Sequence, residues 1–227
     1  MDLRQDKNIE LISGCFQNLP PEDVAFLNEK KTQLTYFKGE TIFKQGAFAQ
    51  HVLFVNKGLV KVFLQIGKEK QININLARQG DYMAFSSVFN KNIYQYSAIS
   101  LTDSTLCMIE KEALKKVIMR NPDFTIQITS RNSQNESRYL DIIKNLSYKQ
   151  MRGKLASALL YLTSEKFKDD NVFQYLTRQD IADFASITVE STVKFLKEFE
   201  KEGIINLNGK EIIVIDKQLL SDLDLKG

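Results

Sequence analysis

Between residues 32 and 110 the chain is cut at nearly even intervals by Gly39, Gly46, Gly58, Gly67 and Gly80, and this spacing constrains its fold more than any other feature. The runs between and beyond them are short and rich in β-branched and aromatic residues. They are Leu34-Thr-Tyr-Phe, Thr41-Ile-Phe, His51-Val-Leu-Phe-Val, Leu59-Val-Lys-Val-Phe-Leu, Gln71-Ile-Asn-Ile-Asn-Leu and Ser104-Thr-Leu-Cys-Met-Ile. Each is too short for an ordinary helix and of strand length. Short strands separated by turn residues predict an antiparallel sandwich or barrel. Asn56-Lys-Gly and Gln79-Gly-Asp supply turns, because glycine accepts positive φ without strain.

The texture differs on either side. A helical start over Lys7–Phe16 and a second turn opening at Pro20-Pro-Glu-Asp precede the strands. From Lys111 onward the pattern is helical, first over Glu112–Met119 and then in a long run opened by Asn121-Pro-Asp. Pro at an early helical position favours that start, and no Gly or Pro interrupts the run before Asn145. Such a helix is roughly 35 Å long at 1.5 Å per residue. Ile128, Tyr139, Ile143 and Leu146 supply its apolar positions, interrupted by Asn132, Asn135 and Glu136. Two readings fit: a helix packed on its own domain, or a dimer seam with polar residues in the middle. A further helix is expected over Lys149–Lys166, carrying Leu155, Leu159, Leu160 and Leu162.

The last third contains a helix-turn-helix pattern. Thr177-Arg-Gln-Asp has a Thr cap with an acid three residues on, as in a capping box. The short helix Arg178–Phe184 would bury Ile181 and present Ala182 to a neighbour. Ala185-Ser-Ile then turns the chain, and Thr188 caps a second helix with Glu190 near its positive end. In that helix Thr192, Phe195, Leu196 and Phe199 form one inward stripe. The other face carries Val189, Glu190, Val193, Lys194 and Lys197. A carboxylate can accept from cytosine N4, a cation can reach guanine or phosphate, and a valine methyl can meet thymine. Asn208-Gly209 between apolar runs predicts a hairpin, the wing. Two helices and a hairpin also build protein-binding modules, so a ligand-sensing module whose winged helix contacts protein stays open as the alternative.

Composition narrows the classes. With 43% hydrophobic and 26% charged residues the chain can bury a core as soluble globular proteins do. A net charge of +3 is too slight to argue for nucleic acid by itself, and residues 146–227 hold 12 Lys and Arg against 13 Asp and Glu. DNA contact must therefore depend on where a few cations are placed. Cys15 and Cys107 are far apart and form no metal-ligand spacing. An iron–sulfur cluster needs about four cysteines, and His51, the single histidine, reads as structural at a strand start. No cofactor and no metal are expected. Without a phosphate loop or a catalytic cluster the chain is not expected to be an enzyme. The start Met1-Asp-Leu-Arg-Gln-Asp lacks signal-peptide character, so a cytoplasmic protein without a membrane span is expected.

At the helix-turn-helix the chain resembles the Crp–Fnr superfamily of bacterial transcription regulators. Leu176-Thr-Arg-Gln-Asp-Ile-Ala-Asp is similar to the family's entry into that motif, and Thr188-Val-Glu-Ser-Thr-Val-Lys to the recognition helix of its Fnr branch. The likeness extends upstream. Phe37-Lys-Gly-Glu-Thr-Ile-Phe-Lys-Gln-Gly resembles the start of the family's cyclic-nucleotide-binding jelly roll. Phe54-Val-Asn-Lys-Gly-Leu-Val-Lys-Val-Phe and Gln79-Gly-Asp-Tyr continue it. The resemblance implies an α+β chain in three parts: an antiparallel jelly roll over 1–120, a dimerisation helix over 121–146 and a winged helix-turn-helix over 147–227. It implies double-stranded DNA, a second copy of the chain and RNA polymerase as partners, with Ile128, Asn132, Asn135, Tyr139, Ile143 and Leu146 on the dimer helix. Glu190 stands in the place of the family's base-reading glutamate. Lys194 stands where an arginine usually reads guanine, and Val189 where the Crp branch has another arginine. Lysine lacks arginine's bidentate fork. By the same resemblance Arg178 and Thr188 contact phosphate, and Lys210 does so from the wing.

One part of the family pattern is broken. Nucleotide-responsive members carry a Gly-Glu pair followed, about ten residues on, by Arg-Ser or Arg-Thr. There glutamate takes the ribose hydroxyl and arginine the cyclic phosphate. Here Ala84-Phe85 and Tyr96-Ser97 occupy those places. Tyr139 and Leu140 stand where the family closes over the base, and both are bulky. Cyclic AMP is therefore not the expected signal. A pocket lined by Phe85, Tyr96, Tyr139 and Leu140 would either be filled by its own side chains or take an apolar ligand, so any effector stays unassigned.

Overall fold

The structure is a computed structural model that describes residue 16 and residues 19–68, 70–89 and 92–227, without the side chains of 134–136. The expected helical start over Lys7–Phe16, apart from Phe16, lies outside the described residues, as do Cys15 and the side chain of Asn135. The chain divides into two compact units, one of residues up to 69 with 75–137, the other of 70–74 with 138–227.

The first unit is the expected antiparallel β structure. Helix α1 (Pro21–Glu29) precedes strands β1 (Lys31–Tyr36), β2 (Thr41–Phe43), β3 (His51–Lys57), β4 (Leu59–Gln65), β5 (Gln71–Arg78, its residues 71–74 counted with the second unit), β6 (Tyr82–Met83), β7 (Ser97–Ser100) and β8 (Ser104–Glu110). They form two four-stranded sheets, ordered β1-β8-β3-β6 and β2-β7-β4-β5, so that strands distant in sequence become neighbours, as in a jelly roll. Strands β6 and β7 extend the set read from sequence. Between β3 and β4 the turn closes at Gly58, with φ +100°, where an added Cβ would lie 2.3 Å from Ser104 Oγ. Only glycine fits that approach.

Helices α2 (Lys111–Arg120) and α3 (Pro122–Tyr148) follow. Leu114, Val117, Ile118, Phe124 and Ile128 join Leu27, Val52, Phe54, Cys107 and Ile109 in one core. Asp23, buried in α1, is held by Arg120 and by Asn121 Nδ2 at 2.7 Å. This arrangement corrects one seam expectation. Ile128 is 1% exposed, because it and Phe124 face the core of their own unit. Further along α3, Tyr139 (38%), Leu140 (58%), Ile143 (58%) and Leu146 (45%) are exposed. Asn132 Nδ2 donates to the Ile128 carbonyl within the helix, at 2.8 Å.

The second unit contains α4 (Met151–Leu162), α5 (Arg178–Ala185), α6 (Val189–Lys201), the hairpin β9 (Ile205–Asn208) with β10 (Glu211–Val214), and α7 (Lys217–Lys226). Helix α4 is shorter than expected from sequence, because the Thr163 N–H already turns back to Leu159 and Tyr161 and two 3-10 turns carry the chain onward. Its Leu155, Leu159 and Leu162 are buried, as are Ile181, Phe184, Leu196, Phe199, Ile204 and Leu220, and α4 lies against α5, α6 and α7. A Cβ at Gly153 would meet the backbone of Gly227 at 2.6 Å, so the missing side chain lets α7 lie against α4. In the same unit, Gln71 Nε2 donates to Asp183 at 2.7 Å and Asn73 Nδ2 to the Asp180 carbonyl at 3.0 Å.

Candidate nucleic-acid interface

The start of α5 is fixed by a complete capping box. Thr177 Oγ1 accepts from the Asp180 N–H at 3.0 Å, and the Asp180 carboxylate accepts from the Thr177 N–H at 2.8 Å. Both orphan donors at the helix entry are thereby satisfied. The helix ends at Ser186, in the left-handed region with φ +55°, and the Ile187 N–H returns to the Ala182 carbonyl at 3.1 Å. That reversal lets α6 begin two residues later. Thr188 caps it by accepting from the Ser191 N–H at 3.2 Å.

Helix α6 presents two different faces. Thr192, Leu196 and Phe199 are buried and Phe195 is half-buried, which makes up the inward stripe. Outward, Glu190, Lys194 and Lys197 are exposed, with Val189 and Val193 half-buried beside them. The Glu190 carboxyl is held below the usual carboxylate range, first by its own backbone N–H and then by the Thr188 hydroxyl. It stays ionised at neutral pH as an acceptor. Lys194 Nζ stands 4.0 Å from Glu198 with its side chain well exposed.

The near-zero charge of this region is resolved by placement. Several of its acidic groups are turned inward or paired. Asp180 and Asp183 are buried, Asp216 caps α7, and Asp224 pairs with Lys149 at 2.5 Å. Glu198 and Glu202 are taken by Arg152 at 3.3 and 2.8 Å. Glu200 accepts from the Leu207 N–H at 3.1 Å and anchors the base of the wing to α6. Lys194, Lys197 and Lys210 remain on the outside. Arg152 and Glu200 escape a reading by motif; the only sequence signal was the i, i+4 spacing of Glu198 and Glu202 on one helical face.

The wing forms where Asn208-Gly209 predicts it, with its register set one residue later. Asn208 pairs with Glu211, so the two loop residues are Gly209 and Lys210, and Gly209 takes φ +61°. Glycine at the first loop position is the requirement of a type II′ turn. Arg178 Nη2 donates to the Gly209 carbonyl at 3.0 Å.

At the positions of the nucleotide cassette the chemistry is turned onto the protein itself. Ala84 is 4% exposed and takes the left-handed conformation, φ +59°, ahead of a 3-10 turn over Phe85–Val88. Its N–H donates to Tyr96 Oη at 2.6 Å. Tyr96 is tilted against Phe43 with ring centroids 5.7 Å apart, and Phe43 stacks on Tyr94 at 4.1 Å. Ser97 Oγ accepts from the Gln45 N–H at 3.0 Å at the edge of a depression of about 250 Å³. Phe85 packs against the core, and its ring meets Phe89 edge-on. Tyr139 and Leu140 belong to the second unit. Among the described residues no helix is long and apolar enough to cross a membrane.

A β jelly roll followed by a winged helix-turn-helix defines a class of two-module proteins, and comparison with known proteins assigns both modules. Residues 33–121 match the cyclic nucleotide-binding domain and residues 153–223 the Crp-like helix-turn-helix domain. The "CRP-like cAMP-activated global transcriptional regulator" of Mycobacterium tuberculosis is 22% identical over 213 residues, covering 92% of this chain and 95% of that protein. "Electron transport regulator A" of Shewanella oneidensis is 28% identical over 190 residues, 81% of this chain and 75% of that one. FixK2 from Bradyrhizobium japonicum shares the fold with a TM-score of 0.75 at 19% identity, covering 86% of this chain and 97% of that structure. The chain belongs to the Crp–Fnr family of transcription regulators, and the Crp-like helix-turn-helix is its DNA-binding module.

Proposed function

We propose that this regulator acts as a homodimer on a palindromic operator and is not controlled by cyclic AMP. The observation that carries the reading is the outward face of α6, where an ionised Glu190 stands among Val189, Val193, Lys194 and Lys197 while Glu198 and Glu202 are engaged by Arg152. Glu190 reads cytosine and Lys194 reads guanine or phosphate in the major groove. Arg178, Thr188 and Lys210 hold phosphates. The exposed Leu140, Ile143 and Leu146 of α3 favour pairing with a second copy, which keeps 121–146 as the dimerisation segment between an effector domain over 1–120 and a DNA-binding domain over 147–227. RNA polymerase is the further partner, in the cytoplasm.

The effector side supports a different signal from that named for the mycobacterial relative. The cassette offers neither the carboxylate nor the guanidinium that a cyclic nucleotide would need, and Tyr96 Oη occupies the Ala84 N–H. Selection from random duplexes tests the DNA reading. The expected product is a palindrome with half-sites about one helical turn, ~34 Å, apart; no enriched site would favour a protein-binding winged helix. Titration calorimetry with cyclic AMP or cyclic GMP is expected to show no specific heat, and micromolar binding would overturn the effector reading.

A further inference from the structure

We propose that Arg178 is a positioning residue for the wing: it fixes the tip of the β9–β10 hairpin so that Lys210 is presented to DNA at a set distance from α6. The inference rests on the DNA-binding reading above and adds a role to a residue expected only to touch phosphate. It starts from the turn. With Asn208 paired to Glu211, the hairpin ladder closes before Gly209 and Lys210. In a two-residue loop the carbonyl of the first loop residue has no partner in the ladder. That carbonyl belongs to Gly209, and Arg178 Nη2 fills it at 3.0 Å. The peptide so fixed is the one that leads directly into Lys210.

The rest of the hairpin is held at its base and not at its tip. Ile204, Ile205 and Ile212 are buried, the Leu207 N–H is taken by Glu200, and the Ile215 N–H returns to the Ile204 carbonyl at 2.9 Å. Residues 208–210 are exposed. The Arg178 contact therefore ties the wing tip to the first residue of α5, whose own backbone is locked by the Thr177–Asp180 box. Arginine suits both tasks, since a fork of five donors can hold the carbonyl and still offer the others to a phosphate. Lysine keeps the charge but cannot hold the two partners in that fixed geometry.

The experiment has two parts. In the DNA-free protein, {1H}-15N NOE measurements compare wild type, Arg178→Ala and Arg178→Lys. Both variants are expected to keep the wild-type melting temperature within a few degrees and to lose order at Gly209 and Lys210, with Leu207 and Ile212 unchanged. An unchanged NOE at residues 209–210 overturns the proposal, whether or not any duplex is bound. On the selected operator, a double-mutant cycle then joins Arg178→Ala with Lys210→Ala. If Arg178 positions Lys210, the fold loss from Lys210→Ala shrinks to about half or less in the Arg178→Ala background, since coupled sites are non-additive. Multiplicative losses, the signature of two independent phosphate contacts, overturn it. Failure of the wild-type chain to bind any duplex would instead sink the DNA reading and leave the NOE result standing.

Discussion

The two ends of this regulator use polar groups in opposite ways. At the helix-turn-helix, the caps, the Arg152 pairs and the Glu200 anchor satisfy the structural demands from within, which leaves Glu190, Lys194, Lys197 and Lys210 facing outward. At the cassette positions the polar groups bond within the protein: the Ala84 N–H to Tyr96 Oη, and the Gln45 N–H to Ser97 Oγ. At the reading face charged groups stay exposed even where, as at Glu190 and Lys194, they also touch a neighbour. A match to the cyclic nucleotide-binding fold does not by itself fix which signal a domain answers.

The largest effect that could break this contrast is at Glu190. Glu190→Ala is expected to relax specificity at one base pair in each half-site, costing about 1–3 kcal/mol per half-site against the preferred duplex. Competition between the selected operator and single-base variants measures it. Equal discrimination in wild type and variant would remove Glu190 from the reading face. Next comes Tyr96→Phe, which leaves the Ala84 N–H without its acceptor in a buried place. It should cost the first unit about 1–3 kcal/mol in urea or thermal unfolding while operator affinity stays unchanged. If the variant is as stable as wild type, the cassette is not closed by its own tyrosine. A smaller and opposite change is expected from Lys194→Arg. The fork it introduces can contact guanine through two donors, so operator affinity should rise about tenfold or less per half-site. A loss would show that Lys194 meets a phosphate or that Glu198 holds it.

How much of this was legible in sequence follows from how local each feature is. The capping box, the stripe of α6 and the glycine turns depend on residues within a few positions of each other, and they were readable. Strand β7 was not, because Ser97-Ala-Ile-Ser buries serines in a sheet and shows no apolar alternation. Two-residue β6 is too short to show a period. The family resemblance, not the apolar pattern, puts Ile128 on the dimer helix with the exposed Ile143 and Leu146. Which face of a long helix meets its own core is decided by α1, α2 and the sheet, not by the helix itself. The bonds from Tyr96 to Ala84 and from Arg178 to Gly209 span 12 and 31 positions. No pattern within one run encodes such contacts, although the loss of the family's arginine did mark the cassette as altered.

The smallest effect separates the two ends by pH. His51 opens β3 opposite Glu110, and burial lowers its imidazole below the usual 6.5, outweighing the Glu110 carboxylate, which pulls the other way. Below pH 6.5 the unfolded chain takes up a proton that the folded one still refuses. In that window the unfolded state binds more protons, so stability rises with pH and falls as pH drops from 6.5 toward the lowered folded value. His51→Gln should flatten this part of the profile, measured as urea midpoints from pH 7.5 to 5.5. Glu190 behaves differently, since its depressed carboxyl stays ionised throughout that window. The ratio of operator affinities between wild type and Glu190→Ala should therefore be constant over the same range. A ratio that shifts along with the His51-dependent midpoint would mean that the reading face and the β domain titrate as one system, and the separation of the two ends would be lost.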